Sequence, residues 1–469
     1  LRNTLIISEG EPVTEKHLAH LESLGLVRGR HANYPGYFGM FLILAILFVL
    51  IGIYLSIYVK DVYNSVNLLT LIGLIAVLTL MLIIASTYFS GYSISAAMGV
   101  MLITVMFGYK LAVPMNIIFA VMVGLVAEGE FSYMVITLIG GLVAVYALSR
   151  VSQRSDLVKA GLYVAAVNAA VIFALFLLKG NINPEYGFFI DLGYGLLAGI
   201  GSGLVSSVVA IGLLPYLESG FGVTTAITLL ELSDPNRPLL RELLRKAPGT
   251  YYHSMMVCNL AEAAAEAVRA DSLLTRVGAC YHDIGKLKRP YFFSENQLSG
   301  ENPHLKLSPN LSALVVGSHV KDGVDLAKKY RLPPLIQDII RQHHGTGLIS
   351  FFYQKALEIC GPDKVSKDSF RYEGPLPQTK EAAIIMLADA VEAGVRSMAK
   401  PAGSRVEALI RRIIKEKLHD GQMDECNLTL KELDQIGDSF VFIMSGIYHS
   451  RIEYPEKDLR AEFERNAAR

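Results

Sequence analysis

A histidine and an aspartate stand side by side at His282 and Asp283, inside the string Tyr281–Lys286. Further imidazole and carboxylate side chains recur at long intervals on both sides of this pair: His253, His319, His343, His344 and Asp389. Imidazole nitrogen and carboxylate oxygen together suit divalent iron, manganese or zinc, and a carboxylate can bridge two such ions. These groups outnumber the ligands that one ion needs, so the pattern indicates a metal centre.

The charges of this 469-residue chain are balanced, with 43 basic and 43 acidic residues, so bulk electrostatics argue neither for nor against nucleic acid. Their distribution is uneven. No charged residue lies between Asp61 and Lys110, and apolar runs continue as far as Glu218. The first half therefore reads as a membrane domain and the second as a charged, soluble domain.

Seven stretches approach the roughly 20 apolar residues that a helix needs to cross a bilayer. The third is short, and its assignment depends on the absence of charge around it. The predicted spans are Tyr37–Val59, Val66–Ser86, Ile94–Phe107, Leu111–Ala127, Phe131–Leu148, Leu157–Leu178 and Tyr186–Leu217.

Basic residues in short loops mark the cytoplasmic side of a membrane protein. With the amino terminus outside, the basic residues that fall inside are Lys60, Lys110, Arg150, Arg154, Lys159, Arg237, Arg241, Arg245 and Lys246. The acidic Glu128 and Glu130 then lie outside, and Arg28 and Arg30 are the exception. We therefore expect a multi-pass membrane protein whose soluble domain is cytoplasmic.

Polar residues inside the spans have two interpretations. Asp191, Asn116, Asn168 and the small-residue run Gly199–Gly203 could mark a ligand pathway, because buried polar groups in lipid are costly. Close packing between helices explains them equally well and is the more common use of such residues. We favour packing, since no span carries a cluster of charges.

The soluble half shows apolar residues at three- and four-residue intervals and no alternating pattern, so it is predicted to be all-helical. Residues 290–309 and 361–378 are longer irregular segments of the kind that often cover sites. The predicted divisions are 1–36 as the remnant of an extracytoplasmic domain, 37–217 as the membrane domain, 218–242 as a juxtamembrane linker, 243–453 as the cytoplasmic domain and 454–469 as a charged tail.

In combination these motifs resemble a known family. His253, His282–Asp283 and Asp389 match the H…HD…D pattern of the HD-domain phosphohydrolase superfamily, and the added histidines resemble its two-metal branch. The strings Ser318–Gly323 and Arg341–Thr346, behind seven spans, resemble the 7TM-HD family of bacterial membrane proteins, which includes cyclic di-AMP phosphodiesterases. The resemblance extends from Tyr37 to about Tyr454.

That resemblance implies a seven-helix membrane domain followed by an all-helical HD domain, with an overall all-α fold. It also implies two divalent metal ions, iron or manganese, that serve the hydrolysis of cyclic di-AMP to linear pApA. One ion would be held by His253, His282, Asp283 and Asp389, and the other by His319, His343 and the bridging Asp283. The implied partners are this substrate, the lipid bilayer and an unidentified extracytoplasmic ligand; a homodimer stays open, and no nucleic-acid polymer is expected.

Two side chains of the implied site have open roles. Lys286 would neutralise a substrate phosphate or would be an ordinary solvated lysine, and His344 would be a metal ligand, a substrate contact or a proton donor. Two rival functions also stay open. One is an HD hydrolase acting on another nucleotide, and the other is a receptor that binds a nucleotide without hydrolysing it.

Overall fold

The computed structural model describes residues 6–8, 10–23, 34–88, 92, 96–151, 153–178, 186–297, 302–399 and 403–447. Contacts divide the chain into two compact units. The first comprises residues 1–149 and 159–210, and the second comprises residues 150–158 and 211–469. The predicted charged tail 454–469 and residues 1–5, 9 and 24–33 of the predicted remnant 1–36 lie outside the described residues.

Helices of the first half begin with the short α1 (Glu15–Ser23), and all but one of the others are strongly apolar. They are α2 (Tyr34–Tyr58), α3 (Lys60–Tyr63), α4 (Val66–Thr87), α5 (Ala97–Phe107), α6 (Tyr109–Val126), α7 (Phe131–Leu148), α8 (Arg154–Leu178) and α9 (Tyr186–Phe221). The exception, α3, is a single charged turn.

Six of these helices are long and apolar enough to cross a membrane, and α5 is a seventh, shorter apolar helix of 11 residues. Each predicted span coincides with one of these seven helices. At 1.5 Å per residue α5 is about 16 Å long, about half the thickness of the hydrocarbon core, as the short third stretch indicated. The chain is therefore a membrane protein, and the six long helices agree with the predicted spans.

Asn116, Asn168 and Gly203 lie in helix-packing contacts, whereas Asp191 is exposed. Asn168 donates a hydrogen bond to Ser202 Oγ at 3.1 Å, and Asn116 donates to the carbonyl of Leu138 at 2.9 Å. A Cβ at Gly203 would lie only 2.6 Å from the backbone nitrogen of Ala165, so glycine is what allows α8 and α9 to approach this closely. These contacts match the packing interpretation.

The described residues of the second half form ten α-helices and several short 3₁₀ turns. The helices are α10 (Ala226–Leu232), α11 (Pro238–Lys246), α12 (Pro248–Ala267), α13 (Ser272–Tyr281), α14 (Pro309–Lys329), α15 (Pro334–Gln342), α16 (Ser350–Cys360), α17 (Lys380–Arg396), α18 (Gly403–His419) and α19 (Leu430–Ile447). Among the described residues the only β-pairing is an isolated bridge between Leu348 and Arg371, so the all-α prediction is confirmed.

Helix α17 forms the centre of this unit. Its residues from Ala382 to Ala388 are all buried, because the segment is apolar on every face and a helix of that kind needs neighbours all round. Helix α11 is amphipathic and buries Leu239, Leu240 and Leu243, and the first two of these pack in the same core. Its apolar face is therefore covered by protein. The predicted boundaries at 217–218 and 242–243 fall inside α9 and α11.

Tyr281 links the helix before the His-Asp pair to α10. Its ring is 1% exposed, and its hydroxyl donates a hydrogen bond to the carbonyl of Leu232 at 2.8 Å. We expect Tyr281→Phe to leave this buried carbonyl without a donor, at a cost of about 1–3 kcal/mol. Thermal unfolding of the full chain in detergent should show a midpoint lower by about 2–4 °C for each kcal/mol lost.

The matched control is Tyr252→Phe, because the Tyr252 side chain is 64% exposed. Equal midpoints for the two variants would contradict the role assigned to the Tyr281 hydroxyl.

Candidate metal centre

Five helices bring the predicted ligands to one place in the second unit. His253 lies within α12, and His319 lies within α14. His282 and Asp283 follow the end of α13, His343 and His344 follow the end of α15, and Asp389 lies on α17. All of the side chains that the sequence singled out as ligands are thus close neighbours, although they span more than 130 positions of the chain.

The carboxylate of Asp283 lies between two groups of imidazoles. Its Oδ2 is 3.3 Å from Nε2 of His282 and 3.4 Å from Nε2 of His253. Its Oδ1 is 3.3 Å from Nε2 of His319 and 3.8 Å from Nε2 of His343. Each carboxylate oxygen therefore faces its own pair of ring nitrogens, which is the arrangement that a bridging ligand needs.

The potential ligand atoms form two sets, within each of which all atoms lie within 4.8 Å of one another. One set contains His253, His282 and Asp389, and the other contains His319, His343 and His344. Asp283 supplies the carboxylate between them. Sequence reasoning left the role of His344 open, and its position puts it with the second set.

Local backbone geometry orients three of the rings. Nδ1 of His282, His319 and His343 lies 2.6–2.7 Å from the carbonyl oxygen three residues earlier in each case. A carbonyl oxygen can only accept, so each Nδ1 carries the proton and each Nε2 presents a lone pair to the centre. Fixing the tautomer in this way prepares an imidazole as a metal ligand.

His253 is oriented by a carboxylate instead. Its Nδ1 is hydrogen-bonded to Glu392, a buried residue of α17, and Glu392 also accepts a hydrogen bond from Arg396 at 3.0 Å. Burial opposes protonation of His253, but the carboxylates of Asp389 and Glu392 raise its pKa to about 9. Sequence reasoning missed Glu392; its spacing of three residues from Asp389 on one helix was the available signal.

The chemistry of this donor set fits divalent cations. Nε2 of His282 and Oδ1 of Asp283 are buried without a hydrogen-bond partner, whereas Oδ2 of Asp283 faces the amine of Lys286. Buried, unsatisfied polar atoms are costly, and a cluster of acceptors pointing at one another is costlier still. Cations coordinated by these atoms would remove that cost, and nitrogen and carboxylate ligands suit iron, manganese and zinc.

Lys286 lies against this carboxylate. Its amine is 2.7 Å from Oδ2 of Asp283 and 2.8 Å from Oε1 of Glu295, and it lies 5.0 Å from the ring centroid of Phe293. The side chain is 13% exposed. The alternative interpretation of Lys286 as a solvated helix lysine is therefore wrong. Burial opposes ionisation of Asp283, but the positive charge of Lys286 holds the pKa of this carboxyl well below its usual range.

Tyr372 forms one wall of the second set, and sequence reasoning missed it. Its ring stacks on that of His344, with centroids 4.2 Å apart. Two backbone hydrogen bonds bring it there: Tyr372 N–H donates to Gly347, and Ile349 N–H donates to Phe370. The pattern of apolar residues carries no signal for such a pairing between two loops.

Gly285 is required where the turn after the His-Asp pair meets α14. A Cβ at this position would overlap the carbonyl oxygen of His319 and would lie 2.6 Å from the backbone nitrogen of Gly323. The close approach of the two backbones places Asp283 beside His319. A glycine in the string after the His-Asp pair is thus a requirement of packing.

Replacing Glu392 tests whether its contact with His253 prepares a ligand. We expect Glu392→Leu to weaken manganese binding about 10- to 100-fold, since outer groups that orient a metal-binding histidine have effects of that size. Glu392→Gln should retain most of the affinity because its amide oxygen accepts the same hydrogen bond. The measurement is manganese titration of the purified full chain.

The control for this titration is Glu407→Leu, on the exposed face of α18. If Glu392→Leu binds manganese as tightly as Glu407→Leu does, the orienting role is excluded.

Two family models match the chain in succession. Residues 34–225 match the model described as "7TM receptor with intracellular HD hydrolase", and residues 250–394 match the model of the HD domain. The chain is similar to the cyclic-di-AMP phosphodiesterase PgpH of Bacillus subtilis (strain 168), with 47% identity over 372 residues that cover 78% of this chain and 52% of that protein.

A second relative is the cyclic-di-AMP phosphodiesterase PgpH of Listeria monocytogenes serotype 1/2a (strain 10403S). It is 36% identical over 474 residues, which cover 97% of this chain and 64% of that protein. The chain thus spans between half and two thirds of the length of these two relatives. A crystal structure of the L. monocytogenes PgpH HD domain in complex with cyclic-di-AMP is 50% identical and covers 46% of this chain and 100% of that chain, with a TM-score of 0.45.

The two family models follow one another in the order of the two halves described above, and the identities extend over most of the chain. The chain belongs to the 7TM-HD family, whose members join a seven-helix membrane domain to an intracellular HD hydrolase domain.

Proposed function

We propose that this chain is a membrane-bound, metal-dependent phosphodiesterase that hydrolyses cyclic di-AMP to linear pApA. One observation carries the reaction type: the two oxygens of the buried Asp283 carboxylate face separate pairs of imidazole nitrogens. A paired centre of this kind suits hydrolysis of phosphate esters. Support for the substrate comes from the two relatives, both named cyclic-di-AMP phosphodiesterases.

The proposed ligands follow the two sets of side chains. His253, His282, Asp389 and Asp283 would hold one ion, and His319, His343, His344 and Asp283 would hold the other. Iron or manganese is proposed for both sites, because mixed imidazole and carboxylate ligands suit these metals.

When bound, two divalent cations would lower the pKa of water and stabilise charge on the phosphoryl oxygens during an in-line displacement. The protein contributes position and charge. Glu392 and the backbone carbonyls hold the imidazoles in their ligand tautomers, and α17 keeps Asp389 in place. Lys286 is proposed as a catalytic residue that balances the charge of Asp283 and favours a phosphate beside it.

His344 is assigned to the second ion rather than to proton transfer. Burial and the neighbouring His343 hold its pKa well below the usual range, so the ring is neutral near pH 7 and has a lone pair to offer. Water is then the proton source for the ribose oxygen that leaves when the phosphorus–oxygen bond breaks.

The rival functions make different predictions. A receptor that binds nucleotide without hydrolysing it has no need of a complete set of ligands, and every expected ligand position is filled here. An HD hydrolase acting on another nucleotide keeps the same metal ligands, so only products distinguish it. The decisive comparison is a panel of cyclic and linear nucleotides.

Incubating the full chain in detergent with manganese and this panel should convert cyclic di-AMP to pApA. We expect Asp283→Ala to lower turnover about 10³-fold or more, since losing even one electrostatic stabiliser costs about 10²- to 10³-fold. The control is Asp363→Asn, at an exposed position far along the chain.

Turnover of cyclic di-GMP but not of cyclic di-AMP would overturn the substrate. Full activity of Asp283→Ala would overturn the metal centre.

For the membrane orientation we propose that the amino terminus is outside and the HD domain is cytoplasmic. A cysteine introduced at Glu130 should react with a membrane-impermeant maleimide in intact cells that express the chain. A cysteine at Gln153 should react only after the cells are permeabilised. The reverse pattern would invert the proposed topology.

A further inference from the structure

Lys417 lies on the inner face of α18, although it is charged. It follows the buried Ile410 and Ile414 at spacings of seven and three residues, so it continues their stripe towards the end of the helix. Its amine lies over the loop after the paired histidines, 3.1 Å from where a Cβ on Gly347 would be. The partly buried amine of Lys417 thus lies over Gly347, which follows His344 by three residues.

The side-chain amine of Lys417 has no ion-pair or hydrogen-bond partner among the described residues. The other cations near the centre are paired: Lys286 contacts Asp283 and Glu295, as described above. Arg371 donates two hydrogen bonds to the Asp420 carboxylate, at 3.0 and 2.7 Å. The charges of Arg371 and Asp420 therefore offset each other, and the amine of Lys417 is left without a carboxylate in direct contact.

The surroundings of Lys417 connect it to the metal centre. Burial lowers its pKa, while the charges of Asp389 and Asp420 act in the opposite direction. Asp389 belongs to the first ligand set, so its charge would be offset by a cation. The loop beneath the amine is fixed by Gln422, which accepts a hydrogen bond from Thr346 N–H and donates one to Thr346 Oγ1, both at 3.0 Å.

We propose that Lys417 binds the second, uncleaved phosphate of a cyclic dinucleotide whose first phosphate lies at the metal centre. This inference rests on the proposed function. Such a substrate carries two phosphodiester groups with one negative charge each, and the paired centre accommodates one of them. The remaining charge needs a partner beside the second ligand set, and the free amine lies over the loop that follows this set. An ammonium group suits a phosphate as a point charge.

One alternative is that Lys417 is a surface lysine whose aliphatic chain covers the apolar stripe while its amine reaches towards solvent. A second alternative is that it tunes Asp389 and thereby the centre itself. The proposal and the two alternatives differ in which substrates are hydrolysed less efficiently when the charge of Lys417 is removed.

The test compares a substrate that has two phosphates with one that has a single phosphate. With the full chain in detergent and manganese, Lys417→Met should raise the KM for cyclic di-AMP about 10-fold or more, the size expected when a hydrogen bond between charged groups is lost. The kcat should change less than the KM. Hydrolysis of bis(p-nitrophenyl) phosphate, a single phosphodiester, should stay near the wild-type rate.

Two further variants serve as controls. Lys417→Arg should recover most of the affinity because it restores the charge. Lys415→Met removes an exposed lysine from the same helix and should leave both reactions unchanged. An unchanged KM for cyclic di-AMP in Lys417→Met would overturn the proposal, and so would equal losses with both substrates.

Failure of the proposed function can be distinguished from failure of the proposal for Lys417. If the wild-type chain cleaves bis(p-nitrophenyl) phosphate but not cyclic di-AMP, the proposed function fails. The inhibition of that cleavage by cyclic di-AMP then tests the role of Lys417. A higher inhibition constant for Lys417→Met than for the wild-type chain supports the phosphate subsite, and equal inhibition constants contradict it.

Discussion

The placement of one buried carboxylate is the constraint on which the second half of this protein depends. Asp283 has both oxygens out of solvent, and four imidazole nitrogens lie within 3.8 Å of them. Such a group is stable only where charges compensate it, because an isolated buried carboxylate is very costly. Lys286 supplies one positive charge at 2.7 Å, and the arrangement of ring nitrogens leaves room for cations to supply the rest. Gly285 is the neighbour that permits this closeness, since any side chain there would push α14 away.

The fold achieves this convergence with helix ends. The carbonyls of the last helical turn lack partners within the helix, and residues such as His282 and His343 use them to fix their rings. The ends of these helices therefore set the orientation of the ligand rings. Residues Ala382–Ala388 of helix α17 are all buried, and Asp389 and Glu392 follow them on the same helix, so both carboxylates are anchored next to the core.

Much of this arrangement could be predicted from the sequence, and there is a physical reason why the rest could not. Hydropathy and spacing predict the all-helical fold and the apolar helices. The spacing of the histidines and aspartates, together with the family resemblance, predicts the ligands. Glu295 and Tyr372 were not predicted, because they arrive on irregular segments whose course depends on hydrogen bonds between loops. Lys286 left two interpretations open, since sequence alone does not say which lysines are buried. Glu392 was missed because a glutamate on a helix is ordinarily a solvated residue.

The central claim is that one carboxylate joins two cations. Electron paramagnetic resonance of the manganese-loaded full chain tests it directly. The account predicts two manganese ions per chain with a spin-coupled signal, as expected for ions about 3.5–4 Å apart that share a bridging ligand. A signal from magnetically isolated manganese, at one ion per chain, would contradict it.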